Sequence, residues 1–372
     1  MITIKEISSK SDIKKFVKFP FELYKDNTYW VPPIIKDEIA SFDKNENPVF
    51  ENAETHFFLA YRDNKIVGRV IAIINNLEIE QLKINKIRFG WFDFIDNKAV
   101  SKALLDKVAE IGKQAGLEYM EGPMGFSNMD KVGVQTEGFE HIGSMVTWYN
   151  HPYYKEHLEA LNYVVEKEYI ESKFLFSSIK PELFQRIVPM LKKRYGYKAL
   201  DFTKTSQIMP YIDAMFKLFN ESYASLPSYV PITDKQVAYF KEKYLPFINP
   251  EMIKFVTDKE DNLIAFAITM PSFSRAMQKA KGKLFPFGLF HLLKAKKHPE
   301  HVDFYLIGVH PAYQGKGVSG IIFDQFYKSY KKIGVKYCYR TPELTTNTAE
   351  AAIWKNFDVE IFSRRATYKK DL

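Results

Sequence analysis

Residues 304–333, FYLIGVHPAYQGKGVSGIIFDQFYKSYKKI, set a glycine turn between a β-rich segment and a helical one. Residues 304–309 (FYLIGV) read as a buried strand, stopped at Pro311. After Gly317 the apolar positions Ile321, Ile322, Phe326 and Tyr330 recur at helical spacing. A helix that begins directly after a glycine turn presents unpaired backbone N–H groups and the positive end of its dipole to whatever lies in front. The chain must therefore fold so that a strand feeds an anion-binding helix N-terminus, with a phosphate as the natural ligand.

Phosphate cradles differ in spacing. The P-loop pattern G-x-x-x-x-G-K-[ST] is missing from the sequence. Gly315, Gly317 and Gly320 match the dinucleotide spacing G-x-G-x-x-G, but the next strand, 335–340 (VKYCYR), lacks the acidic residue that a dinucleotide site uses on the ribose. A third pattern fits better. Val309, Pro311, Gln314, Gly315, Gly317, Val318 and Ser319 resemble the coenzyme A pyrophosphate loop of the GNAT acyltransferase superfamily, V-x-P-x-x-[QR]-G-x-G-[IV]-[GA]. Only Ser319 departs, standing where Gly or Ala is usual. Asn347 followed seven residues later by Trp354 resembles the family's Asn and Tyr in the helix after the next strand.

Composition limits the alternatives. The 372 residues are 46% hydrophobic and 16% aromatic, enough for two or three substantial cores. Cys338 is the only cysteine, which excludes an intrachain disulfide framework and a cysteine-based metal cluster, and no metal is expected. The net charge of +8 comes from lysines spread along the whole chain, with no zinc-finger, helix-turn-helix or RNA-binding consensus, so no nucleic-acid partner is expected. Neither a signal-type apolar stretch at residues 1–10 nor a membrane-length run is present, and 284–293 (LFPFGLFHLL) is far too short to span. These features predict a soluble, cytoplasmic protein.

In chain order, residues 2–6 read as a strand, 11–19 as a short helix and 19–33 as an irregular aromatic cover. A hairpin follows, 55–62 and 66–74 around Asp63-Asn64-Lys65, then a strand 87–94 and a helix 98–115. This order also precedes the glycine turn. At its own junction, however, the first half has no glycine and carries Asp93 and Asp96, which would repel a pyrophosphate by about a kcal/mol or more. The loop 122–154, with five glycines and dense aromatics, is too long and apolar for an idle linker and reads equally as a substrate wall or as packing. A helix 152–161 and a strand 164–176 complete this half.

The second half opens with a connecting helix, 181–196, and a strand, 198–202. Helices 207–223 and 233–244 follow, the latter with Thr233 and Gln236 in capping-box spacing, then a hairpin 252–257 and 263–270. Tyr223, Ser228 and Tyr229 are candidates for acceptor contacts. Residues 271–300 form an insertion with no acidic residue before Glu300, rich in Lys and Arg around an apolar centre. It suits an anionic membrane surface, a lipid-like acyl chain, the phosphates of coenzyme A, or an arm packed on the neighbouring unit.

The resemblance covers nearly the whole chain, since 19–176 is similar to the amino-terminal half of tandem GNAT-like bacterial proteins. It implies an α/β fold (α+β, mixed sheet) of two tandem units, each a mostly antiparallel mixed sheet flanked by helices. The implied division is 1–178, lacking the coenzyme loop, and 179–372, carrying it. By the same resemblance Val309 would hold the pantetheine arm, residues Gln314, Gly315, Lys316, Gly317, Val318 and Ser319 the pyrophosphate, and Asn347 the pantetheine side. The co-substrate would be acetyl-CoA or another acyl-CoA, with an amine of a small molecule or peptide as acceptor. The family's Tyr acid is Trp354 here, whose indole cannot serve, and Tyr339, Glu343, Cys338, Asp303 and His310 lack the expected spacing. The catalytic residue is therefore unassigned. An acyl-CoA-dependent N-acyltransferase is expected, with a non-catalytic acyl-CoA-binding sensor or scaffold as the alternative, and a long-chain acyltransferase at a membrane surface as a third reading.

Overall fold

The computed structural model describes residues 1–226, 229–245 and 248–372. In its first half the elements are β1 (Thr3–Ile7), α1 (Lys10–Leu23), α2 (Ile35–Ser41), β2 (Ala53–Arg62), β3 (Lys65–Asn75) and α3 (Asn76–Leu82). They continue with β4 (Lys86–Phe94), α4 (Lys98–Gln114), β5 (Tyr119–Gly122), β6 (Val134–Glu137), α5 (Tyr153–Ala160) and β7 (Val164–Leu175). Then come α6 (Glu182–Gln185), α7 (Val188–Tyr195), β8 (Lys198–Leu200), α8 (Thr205–Ile208), α9 (Ile212–Tyr223), α10 (Asp234–Tyr244), β9 (Ile253–Thr257) and β10 (Leu263–Pro271). Last are α11 (Ser274–Ala280), α12 (Gly288–Lys297), β11 (His301–Val309), α13 (Val318–Ile333), β12 (Tyr337–Leu344), α14 (Thr348–Trp354) and β13 (Glu360–Asp371).

Contacts group these elements into two compact units. Unit 1 holds Met1–Ile170, Ser274–Leu292 and Phe362–Leu372; unit 2 holds Glu171–Phe273 and Leu293–Ile361. A contiguous split at 178/179 therefore misplaces three segments, 171–178, 274–292 and 362–372. The carboxyl-terminal strand completes unit 1, where Tyr368, Lys369, Lys370 and Asp371 of β13 pair antiparallel with Gly122, Glu121, Met120 and Tyr119 of β5. Residues from Glu171 in β7 lie with unit 2, next to β12. The Lys- and Arg-rich insertion divides as well, Ser274–Leu292 belonging to unit 1 and the rest to unit 2.

Both units repeat one strand plan. In unit 1, β1, β2, β3 and β4 are antiparallel neighbours, and β4 pairs parallel with β5. In unit 2, β8, β9, β10 and β11 are antiparallel neighbours, and β11 pairs parallel with β12. Each parallel pair is short, Lys86–Arg88 against Tyr119–Glu121 and His301–Phe304 against Tyr337–Arg340. A helix follows the fourth strand in each case, and its apolar stripe closes the core: Val100, Leu104, Leu105 and Val108 on α4, and Ile321, Ile322, Phe326 and Tyr330 on α13.

Three departures from the expected elements have local causes. The helix expected over 11–19 continues to Leu23 through Pro20, which has no N–H to offer the Phe16 carbonyl. Arg69 Nη1 donates to that carbonyl at 2.9 Å instead, so the helix survives its proline. The connecting helix breaks into α6 and α7, with Pro189 near the start of α7, and the next helix breaks into α8 and α9 around Pro210. Beneath β4, Lys86, Arg88, Glu78 and Glu121 form a fully buried ionic network. Burial opposes its charge, yet Lys86 and Lys167 hold the Glu121 carboxyl down at about 2.

Candidate functional site

The glycine turn folds as its sequence requires. Gly315 and Gly317 have φ of 72° and 78°, a region that only glycine occupies without strain, and Gly317 is the N-cap of α13 with no side chain closing the helix end. Pro311, Ala312 and Tyr313 make a 3₁₀ turn between β11 and the glycines. The Gly320 N–H is paired to the Gly317 carbonyl, and Lys316 to Tyr313. Among the described residues no such turn bond is made by the N–H groups of Gly315, Gly317, Val318 or Ser319. A Cβ on Gly315 would meet nothing within 4 Å, whereas one on Gly317 would fall 2.8 Å from Leu191, so the turn is open at 315 and closely packed at 317. These observations fit a pyrophosphate.

In front of the turn lies a cavity of about 560 Å³ within unit 2. Val309, Gln314, Gly315, Gly317, Val318, Ser319 and Asn347 all line it; Lys316 does not, and its ammonium rests 5.5 Å from the Tyr313 ring centroid instead. Gln314 is turned back, its Nε2 donating to the Val309 carbonyl at 3.2 Å. Asn347 caps α14, accepting from the Glu350 N–H at 3.2 Å and donating to Glu350 Oε2 at 3.1 Å. Its apolar lining includes Leu183, Phe184, Ile187, Leu191 and Leu226, with Leu191 and Phe184 packed beside the turn at Gly317 and Gly320.

The strands under this cavity diverge. β11 runs to Val309 and β12 to Leu344, but their ladder stops at Phe304 and Arg340. On its other side β11 carries a bulge: Leu306 faces Ile268 and Phe304 faces Thr269, leaving Tyr305 without an opposite residue. The carbonyl of Ile307 accepts from the Tyr223 hydroxyl at 3.0 Å. Backbone of residues 307–309 thus lines a cleft that opens toward the glycine turn.

Glu350 is the group that the sequence reading missed. It lines the cavity, and burial raises its carboxyl from the ordinary 4.5 to about 7, against Arg340 and the Asn347 hydrogen bond, which favour the charged form. Its spacing in Asn347-x-x-Glu350 was available as a capping signal, but desolvation is not readable from spacing. Tyr223 lines the same cavity, and burial together with the Glu350 charge pushes its phenol up. Tyr229 does not line the cavity; it is buried and donates to Asn220 at 2.6 Å. Ser228 lies outside the described residues.

The remaining candidates sit elsewhere. Trp354 is 3% exposed in an aromatic cluster with Phe304, Phe323 and Phe357, under the Arg340 guanidinium at 4.5 Å. Cys338 is fully buried and its thiol is pushed up by burial, so it is no nucleophile. Asp303 is buried, Glu343 is paired with Arg340, and His310 accepts from the Ala312 N–H. None of these, nor Tyr339, lines the cavity.

The matching place in unit 1 is occupied by the chain itself. Beyond Arg88, residues 122–126 enter the gap between β4 and β5: the Met124 N–H donates to the Phe89 carbonyl at 2.9 Å, and Arg88 Nη1 to the Gly125 carbonyl at 2.9 Å. Asn97 caps α4, accepting from the Ala99 N–H at 3.0 Å. Asp93 does not face an open junction as a bare charge; Arg69 holds it at 2.7 Å, with Tyr24 and Tyr154 donating at 2.8 and 3.2 Å. Its repulsion is cancelled, and filled space rather than charge closes this end.

No family model matches the chain. It is 23% identical over 380 residues to Protein YghO of Escherichia coli, across 99% of this chain and 95% of the relative. It is 22% identical over 294 residues to the bacterial ceramide synthase of Caulobacter vibrioides, across 78% of this chain and 76% of that one. Among solved structures, a tandem GNAT protein from the clavulanic acid biosynthesis pathway superposes with a TM-score of 0.58 at 9% identity, covering 100% of this chain and 98% of its own. Among the described residues, no helix is long and apolar enough to cross a membrane, and no group of acidic, His or Cys side chains could hold a metal ion. With its repeated strand plan and its glycine turn ahead of α13, the chain has the fold of the GNAT superfamily, in tandem.

Proposed function

We propose that the chain is an acyl-CoA-dependent N-acyltransferase, working in unit 2, with a primary amine on a long-chain, lipid-like molecule as acceptor. One observation carries this reading: a single cavity joins the open N–H cradle of the glycine turn to a carboxyl poised near neutrality, Glu350. An acyl-CoA thioester is already activated, so the protein has mainly to align it with the amine. The N–H groups of Gly315, Gly317, Val318 and Ser319 hold the pyrophosphate, and backbone at 307–309 guides the pantetheine arm. Glu350 takes the amine proton as the nitrogen attacks the thioester carbon. The C–N bond forms, the C–S bond breaks, and the departing thiolate ends as the free thiol, so one proton passes from amine to sulfur overall. A relative bears the name bacterial ceramide synthase, and a ceramide is the N-acyl amide of a long-chain amine, which favours that acceptor class. The apolar wall of the cavity suits a hydrocarbon chain.

The alternative, a non-catalytic acyl-CoA-binding protein, is favoured by one fact: the residue standing in the family's acid position, Trp354, is sealed in the core. Thiol release from acetyl-CoA and palmitoyl-CoA, followed with sphinganine, octylamine and a peptide amine, separates the two. The enzyme reading expects release that depends on amine and is greatest with sphinganine. Coenzyme binding by calorimetry without amine-dependent release assigns the chain to the binder class.

A further inference from the structure

Among the described residues outside the termini, 283–297 display the largest exposed apolar side chains. Phe285, Phe287 and Phe290 are 73%, 71% and 65% exposed, and Leu293 is 55% exposed. A monomer that leaves three neighbouring phenylalanines in water loses apolar burial, and contiguous patches of this kind mark contact surfaces. The phenylalanines do not project because the segment is loosely attached. Ser274, Ala276 and Ala280 on α11 are buried, Gln278 Nε2 donates to the carbonyls of Thr28 and Trp30 at 2.8 and 3.0 Å, and the Ile35 N–H donates to the Gly282 carbonyl at 2.9 Å. At Gly282, φ is 77°, and a Cβ would fall 2.6 Å from the Phe21 ring, so the base of the arm is closely packed. The anchored base holds an apolar tip outward.

Charge identifies what the tip meets. Arg275, Lys279, Lys281, Lys283, Lys294 and Lys297 are exposed, and among the described residues none has a carboxylate partner. No Asp or Glu occurs from 262 to 299. Phe290, Leu293, Lys294 and Lys297 fall at i, i+3, i+4 and i+7, so α12 turns one face that is apolar at its start and cationic at its end. Aromatic tips flanked by unpaired lysines match the two layers of an anionic bilayer surface, acyl boundary and phosphate plane. We propose that residues 283–297 are a membrane-docking arm that inserts Phe285, Phe287 and Phe290 into an anionic phospholipid surface. This arm is independent of the acyl-transfer reading, since no residue of 271–300 lines the cavity.

Flotation of the full chain with vesicles of phosphatidylglycerol and phosphatidylcholine, against pure phosphatidylcholine, tests it. Binding is expected to the anionic vesicles and to weaken as salt rises from 50 to 500 mM, roughly tenfold or more. The Phe285→Ser/Phe287→Ser/Phe290→Ser variant is expected to lose at least about tenfold in partitioning with an unchanged melting temperature, since the removed rings are already in water. Lys294→Gln/Lys297→Gln is expected to abolish the preference for the anionic lipid. Equal binding by the triple variant, or no flotation with anionic vesicles at 50 mM salt, overturns the assignment. So does a dimer in analytical ultracentrifugation that the triple variant dissolves while vesicles stay unbound, because the patch then serves a second copy.

Discussion

Glu350→Gln keeps the shape of the Glu350 side chain and removes its titration. If the carboxylate accepts the amine proton, kcat/KM for amine-dependent thiol release should fall by about 100- to 10,000-fold. In the parent chain kcat/KM should show an inflection near 7, where the carboxyl ionises, below the separate rise that follows the acceptor amine's own deprotonation at higher pH. That inflection should vanish in Glu350→Gln. Asn347→Ala, which removes a hydrogen bond favouring the charged form, should move it to higher pH. The same shift acts on stability with a definite sign. Its folded value lies above the ordinary 4.5, so the unfolded chain releases this proton first as pH rises. Stability is complete below 4.5 and is lost progressively up to about 7, by at most about 3 kcal/mol if the whole shift is expressed. Relative to the parent, Glu350→Gln should therefore melt higher at pH 8 than at pH 5. Kinetics by thiol release and melts by circular dichroism across pH 5 to 9 read both effects. An inflection near 7 that persists in Glu350→Gln, or a melting difference independent of pH, would refute the assignment.

Gly317→Val forces a β-branched residue to a φ of 78° and drives its Cβ to 2.8 Å from Leu191, so coenzyme A affinity by calorimetry should fall about 100-fold or more. Gly315→Ala meets nothing within 4 Å but holds an alanine at a φ of 72°, a backbone cost of about 1–2 kcal/mol, so it should lose clearly less affinity than Gly317→Val; equal losses in both would remove the cradle from 317. Arg69→Met leaves Asp93 buried without its cation and the Phe16 carbonyl without a donor, and urea unfolding should show a loss of about 3–5 kcal/mol. A loss below about 1 kcal/mol would mean that Tyr24 and Tyr154 suffice for Asp93. The fragment 1–178 lacks β13, which covers β5 and sends Ala366 and Tyr368 into the core of unit 1. It should aggregate or unfold without cooperativity, and a sharp two-state melt would show that unit 1 closes without the carboxyl-terminal strand.

Local chemistry made much of the fold readable in advance. Asp63 and Asn64, at positive φ, turn the first hairpin, and Thr233 with Gln236 caps α10 as its spacing predicts. The two glycines at 315 and 317 announce a left-handed turn ahead of α13, because glycine has no Cβ to oppose a positive φ. In each case the cause and the structure lie within a few residues of each other. What the tertiary structure alone decided depends on residues far apart. Strand β13 goes to unit 1 because β5 offers an unpaired edge nearly 250 positions earlier, and an edge has no signature in the sequence that will cover it. Met124 fills the gap beside Phe89, so unit 1 is closed by its own chain rather than by the repulsion that Asp93 suggested. Glu350 looks like an ordinary capping carboxylate in a row of letters; only burial, outweighing Arg340 and the Asn347 hydrogen bond, moves its proton to about pH 7. Turns and caps are short-range sterics, which the sequence carries in full, whereas strand exchange, filled gaps and shifted protons come from desolvation and contact, which exist only after the chain has folded.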